Sequence, residues 1–290
     1  MTVSPSGYPP FLGSELPQAA PRDARFHVLP APWERSVSYG AGTAQGPAAI
    51  LQASWQLEVW DGRSAPGREG IHTHPPVDVA GDPEQVLERI RGAVAGILSL
   101  GKTPVVLGGE HTVTLGVVQG LLEAGLGDLG DEQIDAHADL RDTYEGDPFS
   151  HACAMRRVAE LGVPLFQLGV RALSEEELEV RRRFGVRCLD ADALVPGQVA
   201  RVTLPEDFPA RVFFTLDVDG LDPSVLPATG TPVPGGLSWY QTLGLFESVA
   251  QQRQLVGFDI MELAPIPGFH SYDFAAALLA YKLMGIVQRG

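Results

Sequence analysis

The sequence predicts an α/β fold, a parallel sheet covered by helices on both faces. Three observations carry this. From about residue 105 onward, short apolar runs alternate with helix-patterned stretches, as in strand–crossover–strand units. Runs such as Val105-Val106-Leu107 and Val212-Phe213-Phe214 are apolar throughout, as strands buried on both faces are. Three of the runs lead directly into residues of metal-ligand type, and an open parallel sheet gathers ligands beyond the carboxyl ends of its strands.

Residues 1–22 are rich in Pro, Ser and Gly and read as a tail packed over a neighbouring surface. Residues 23–290 show no repeat and no linker and read as one domain. Phe26-His27-Val28-Leu29 reads as a strand ending at Pro30. After the glycine-rich Tyr39–Thr43 stretch, Thr43 is expected to cap a helix reaching about Ser54, with Pro47 early in it. Residues 61–76 read as loop. His72 and His74 lie there, but no carboxylate accompanies them and Pro75-Pro76 follow, which argues against a metal pair.

The next helix is well signalled. Asp82 caps it, Pro83 takes the first turn, and Gln85 sits at the capping-box position. Val86, Leu87, Ile90, Val94, Ile97 and Leu98 form its apolar face, and Gly101 ends it. Gly96 to Thr103 matches the phosphate-loop pattern G-x-x-x-x-G-K-T. That chemistry needs a strand before the loop and a helix after it; here the order is reversed.

Beyond it the expected elements are a helix over about 112–123, a strand ending at Asp135, and a helix over about 150–161. The strand 165–170 follows, then a helix capped by Ser174 and running to about Phe184. The strand 211–216, a helix over 239–252, the strand 255–260 and a last helix from about 271 to 287 complete the chain. One local conflict stands out: Asp131-Glu132-Gln133 occupies a place where a central parallel strand is normally apolar.

Composition narrows the function classes. The chain of 290 residues has 36 acidic and 21 basic residues, a formal charge of −15. That disfavours nucleic acid, whose phosphates need clustered Lys and Arg, and is compatible with a cationic substrate. Two cysteines without a CxxC fit a reducing cytoplasm. No signal-peptide pattern and no apolar run of membrane-spanning length is present, so a cytoplasmic protein is expected.

In Asp135-Ala136-His137-Ala138-Asp139 three ligand-type side chains fall on alternate residues, which point to one side at a strand end. Asp217 and Asp219 repeat the spacing after Val212–Leu216, and His111 follows Gly108-Gly109-Glu110. Four crowded carboxylates repel one another, and two divalent cations balance their four charges. Carboxylate with some imidazole suits Mn²⁺ better than thiolate-seeking metals. The plainer reading is that these are turn and capping residues, common at strand ends.

In this order and spacing the motifs resemble the ureohydrolase family of arginase, agmatinase and their relatives. The resemblance covers most of the chain. It takes in Val37-Ser38-Tyr39-Gly40, Gly46-Pro47, Gly108–His111, Asp135–Asp139, Ser150-His151, Asp217–Pro223 and Gly257–Glu262. It implies a three-layer α/β/α sandwich around a mainly parallel sheet of about eight strands. It also implies a two-manganese centre, His111, Asp135, Asp139 and Asp217 holding one ion and Asp135, His137, Asp217 and Asp219 the other. Such a pair generates hydroxide near neutral pH to attack a guanidinium carbon, releasing urea and an amine.

By the same resemblance, Asp139 hydrogen-bonds the hydroxide and later passes its proton. His151 shuttles protons or orients substrate, since an imidazole titrates near neutrality. Glu262 pairs with the substrate's planar guanidinium. The plainer alternatives are a helix-start histidine and a strand-end structural carboxylate. Thr215 stands where the family commonly has Ser, and Ala152 where it often has Gly; the second puts the transfer of substrate-tail recognition in doubt.

Asp139–Asp142 and Phe149–Cys153 look most like a bacterial agmatinase. Asp142, Glu145 and Asp147 against Arg141 make an acidic loop, which suits an amine-ended substrate. Agmatine is the leading expectation, with N1-aminopropylagmatine or guanidinobutyrate as alternatives and arginine disfavoured. The competing classes are a deacetylase-like amidohydrolase, which uses one metal and an adjacent His pair absent here, and a catalytically silent assembly subunit. Relatives that form trimers or hexamers imply a homo-oligomer.

Overall fold

The computed structural model describes residues 7–290. Its strands are β1 (Phe26–Ala31), β2 (Ile71–Thr73), β3 (Thr103–Gly108), β4 (Leu129–Ile134), β5 (Leu165–Leu168), β6 (Arg187–Leu189), β7 (Arg211–Asp217) and β8 (Gln254–Met261). They form one sheet in the order β2-β1-β3-β8-β7-β4-β5-β6, and every pairing is parallel. The helices are α1 (Gly46–Ala53), α2 (Pro83–Ser99), α3 (Val113–Glu123), α4 (Ala154–Glu160), α5 (Glu175–Phe184), α6 (Ala191–Leu194), α7 (Trp239–Ala250) and α8 (His270–Arg289).

Side chains alternate across each strand, so the central strands feed two cores. Leu107, Phe214, Leu216 and Ile260 pack with Ile50, Phe246 and Tyr281 from α1, α7 and α8. Val106, Phe213 and Met261 pack on the other face with Ile90, Val94 and Val117 from α2 and α3. The three-layer α/β/α architecture and the eight-stranded sheet are as expected. Full capping boxes start α2 (Asp82, Gln85), α5 (Ser174, Glu177) and α7 (Ser238, Gln241). Gly96 lies inside α2 and Thr103 opens β3, so the phosphate-loop pattern has the wrong surroundings. None of the described helices is long and apolar enough to cross a membrane.

Four local expectations need correction. β1 runs through Pro30 to Ala31. Its pairing with β2 stops at Val28↔Thr73, so the N–H that Pro30 lacks would have faced a neighbour that has already ended. Thr43 opens a 3₁₀ turn instead of capping α1; its hydroxyl donates to Glu34. The stretch 61–76 is not all loop, since it holds the edge strand β2. β6 is a second short edge strand that the pattern did not announce. Phe11 and Leu12 of the N-terminal stretch are buried, their amides donating to the Thr73 and Ser54 hydroxyls.

The conflict at residues 131–133 resolves in favour of a full-length strand. Asp131, Glu132 and Gln133 are all inside β4 and all fully buried.

Candidate metal centre and active site

Four adjacent strands, β3, β8, β7 and β4, end at one place, and each delivers a polar side chain there. The turn after β3 carries His111. Gly109 in that turn is required by close approach, because a side chain would stand 2.0 Å from the Trp33 carbonyl oxygen. The turn after β4 carries Asp135, His137 and Asp139. Asp217 ends β7 and its carboxylate caps the following 3₁₀ turn by accepting from the Asp219 amide at 2.8 Å. Glu262 follows β8.

The six residues expected as ligands converge. His111 Nδ1 lies 3.1 Å from Asp135 Oδ2, 3.0 Å from Asp139 Oδ2 and 3.5 Å from Asp217 Oδ2. His137 Nδ1 lies 3.0 Å from Asp219 Oδ2 and 3.6 Å from Asp135 Oδ1. These make two groups of metal-holding geometry, His111 with Asp135 and Asp217, and Asp135 with His137 and Asp219. The two oxygens of Asp135 face different groups. All but His137 are buried.

Burial and mutual repulsion hold Asp139, Asp217 and Asp219 above the usual carboxylate range. Asp135 is the exception: burial works to raise it, but contacts with His111 and His137 prevail and hold it below. Burial disfavours charge on His137 too, yet Asp135 and Asp219 push it up to about 11. His111 Nε2 pairs with the Thr215 hydroxyl at 2.9 Å, while Nδ1 is buried without a hydrogen bond among the described residues and aimed at three carboxylates. A ring nitrogen orphaned inside an oxygen cage fits a divalent cation.

His151 sits beside this cage. Its Nδ1 is 3.0 Å from Ser36 Oγ and its Nε2 2.7 Å from Ser38 Oγ. Ser36 also donates to Glu110, whose Oε2 accepts from the Arg35 and Ser36 amides. Glu262 Oε1 accepts from the His111 amide at 2.7 Å. Burial, then Glu110, keeps the Glu262 carboxyl well above its usual range. Asp139 and Glu262 both have left-handed backbones, with φ of 52° and 65°. Such strain in non-glycine residues gathers at functional sites.

Sequence reading missed Ser36, Ser38 and Glu110. Glu110 stood inside the Gly-Gly-Glu-His motif, and the two serines show the i, i+2 spacing that singled out the aspartates. The acidic-rim expectation is corrected. Asp142 pairs with Arg157 at 2.5 Å, and Asp147 with Arg35, leaving Glu145 as the acid of that loop without an ion pair among the described residues. Arg141 stacks over the Tyr144 ring, 5.4 Å from its centroid. Both line a cavity of about 390 Å³ with Ser38, His137, Asp139 and His151. A larger hollow of about 950 Å³ beside Arg25, Thr103 and Gln254 lies at the amino ends of the strands, and none of the six candidate ligands lines it.

A buried cage of carboxylates and imidazoles at the carboxyl ends of a parallel sheet, opening to a polar cavity, defines an α/β metallohydrolase-type site. The Arginase family model matches residues 24–285, and the chain belongs to the Arginase family. It is 38% identical to an N(1)-aminopropylagmatine ureohydrolase of Synechocystis sp., over 97% of this chain and 94% of that one. It is 41% identical to a protein of the same description from Thermus thermophilus, over 91% and 90%. The solved agmatine ureohydrolase of Thermoplasma volcanium superposes with a TM-score of 0.81 at 29% identity, covering 93% of this chain and 92% of that one.

Proposed function

We propose that the protein hydrolyses the guanidino group of N1-aminopropylagmatine, or of agmatine, to urea and a primary amine, with two manganese ions in the carboxylate cage. The observation that carries the reaction is the gathering of His111, Asp135, His137, Asp139, Asp217 and Asp219 on one volume, with Glu262 beside it. The two relatives named for N1-aminopropylagmatine, at 38% and 41% identity, support the extended substrate over agmatine itself.

His111, Asp135, Asp139 and Asp217 would hold one ion, and Asp135, His137, Asp217 and Asp219 the other. When bound, such a pair balances four carboxylate charges and acidifies water toward neutral pH. Glu262 offers the planar guanidinium a matching carboxylate, and the arriving cation favours its ionised form. Asp139 takes the proton that the attacking water gives up as its oxygen bonds to the guanidino carbon. The bond from that carbon to the tail nitrogen then breaks. His151, fixed between Ser36 and Ser38, hands the departing nitrogen a proton.

Arg141 on the cavity wall favours a second reading, a guanidine ending in a carboxylate such as guanidinobutyrate. Urea release from manganese-loaded protein decides among N1-aminopropylagmatine, agmatine, guanidinobutyrate and arginine. The first is expected to give the highest kcat/KM. Urea from none of the four would refute the proposed reaction.

A further inference from the structure

Two glutamines occupy strand positions where a buried parallel sheet normally keeps apolar side chains. Gln133 of β4 and Gln167 of β5 are register partners, and neither is exposed. They are joined end to end. Arg181 Nε of α5 donates to Gln167 Oε1 at 2.8 Å. Gln167 Nε2 donates to Gln133 Oε1 at 2.6 Å and to the Ala138 carbonyl at 2.7 Å. Gln133 Nε2 donates to Asp135 Oδ2 at 2.6 Å. Arg181, itself buried, is anchored by a two-pronged pair with Asp190 at 2.8 and 2.9 Å.

The direction of this chain is fixed at both ends. A guanidinium only donates, and an ionised carboxylate only accepts. With both ends determined, each amide has one orientation, and every donor points toward Asp135. Both side-chain oxygens of the glutamines accept and both amide nitrogens donate, so the network is closed, the condition under which buried polar groups add rigidity.

The chain ends on the turn that carries three of the six candidate ligands. That turn contains the left-handed Asp139, a shape the surroundings must enforce. Gln167 holds its Ala138 carbonyl, the Arg156 amide holds the Asp139 carbonyl, and Glu177 of α5 accepts from the Leu140 amide. Asp135 Oδ2 is the oxygen facing His111, and Oδ1 the one facing His137.

We propose that Gln133, Gln167 and Arg181 are positioning residues, a buried relay that sets the Asp135 carboxylate and the Asp135–Asp139 turn for binding of a paired metal centre. This rests on the reading that the cage holds two divalent cations. The relay acts through Asp135 and touches no substrate. Outer partners of metal ligands typically contribute about 10- to 100-fold in affinity.

The test is manganese titration of metal-stripped protein by calorimetry, with electron paramagnetic resonance of the loaded form. Unaltered protein is expected to take two ions and give the exchange-coupled spectrum of a pair. Gln133→Leu is expected to weaken binding about 10- to 100-fold and to replace the coupled spectrum with that of isolated ions. Its metal-free fold is checked by circular dichroism. If Gln133→Leu does not fold, Arg181→Lys decides. It keeps the charge but loses the Nε donor and the fork to Asp190, and a several-fold weakening is expected. Normal affinity and a coupled spectrum in the folded variant would overturn the relay and leave the metal reading intact. Failure of the unaltered protein to bind two ions would overturn the metal reading and the relay with it.

Discussion

Within the six residues of β4, Gln133 and its predecessors Asp131 and Glu132 are all fully buried and fare differently. Gln133 satisfies its amide through Gln167 and Asp135. Asp131, on the same face two residues back, has no hydrogen bond to either oxygen among the described residues, and neither has Glu132 on the opposite face. Burial, reinforced by Asp259 for Asp131 and by Asp131 for Glu132, holds both carboxyls well above their usual range. Nothing in the structure explains their presence. The contrast shows that polarity in a buried strand is tolerable when a network closes around it and costly when none does.

The satisfied end of that contrast breaks most visibly at the cage itself. Asp217→Asn is expected to remove both metal binding and urea release, by more than the about 100-fold that losing an outer partner costs. Metal analysis alongside a urea assay checks that the two fall together. Glu262→Gln separates substrate from metal. It is expected to keep its manganese while kcat/KM falls about 30-fold or more, the loss expected on truncating one side of a buried charge pair. Undiminished turnover would remove Glu262 from guanidinium binding.

The unsatisfied end is sharpened by removing it. Asp131→Val and Glu132→Leu are each expected to stabilise the protein by about 1–3 kcal/mol, read from urea unfolding. The pH dependence has a definite sign. The unfolded carboxyls release their protons near pH 4, whereas the folded ones keep them to higher pH. Their contribution is therefore favourable below about pH 4 and is lost as pH rises through the folded values. The double variant should lack that decline.

The smallest effect belongs to the sheet edge. His74 Nε2 meets His27 Nδ1 at 2.8 Å, while His27 Nε2 bonds the Pro21 carbonyl and His72 Nδ1 the Ala19 carbonyl. Burial, then His27 and His72, lowers His74 to about 4. A depressed histidine gives stability that is present above about pH 6.5 and is lost as pH falls toward 4. His74→Phe should remove that acid sensitivity, an effect of less than about 1 kcal/mol given its partial exposure. Unchanged acid unfolding in this variant would dismiss the cluster as a contributor.

The sheet and the gathering of His111, Asp135 and Asp217 were legible because strand alternation and apolar runs are local signals. β2 and β6 were not, since three residues pairing along one edge leave almost no pattern. The pairing of the rim acids was hidden for another reason. Arg35 lies 112 residues from Asp147, and Arg157 lies 15 from Asp142, so the charges that neutralise the loop are set by the fold. The same holds for Gln133, whose role depends on a strand partner 34 residues away.

Asp139 and Glu262 each adopt a backbone shape that glycine would take without strain, yet the proposed reaction needs a carboxylate from each. A glycine at either position would relax the main chain and remove the carboxylate that the proposed reaction uses. Selection for thermal endurance alone would therefore pull these two sites away from the proposed chemistry.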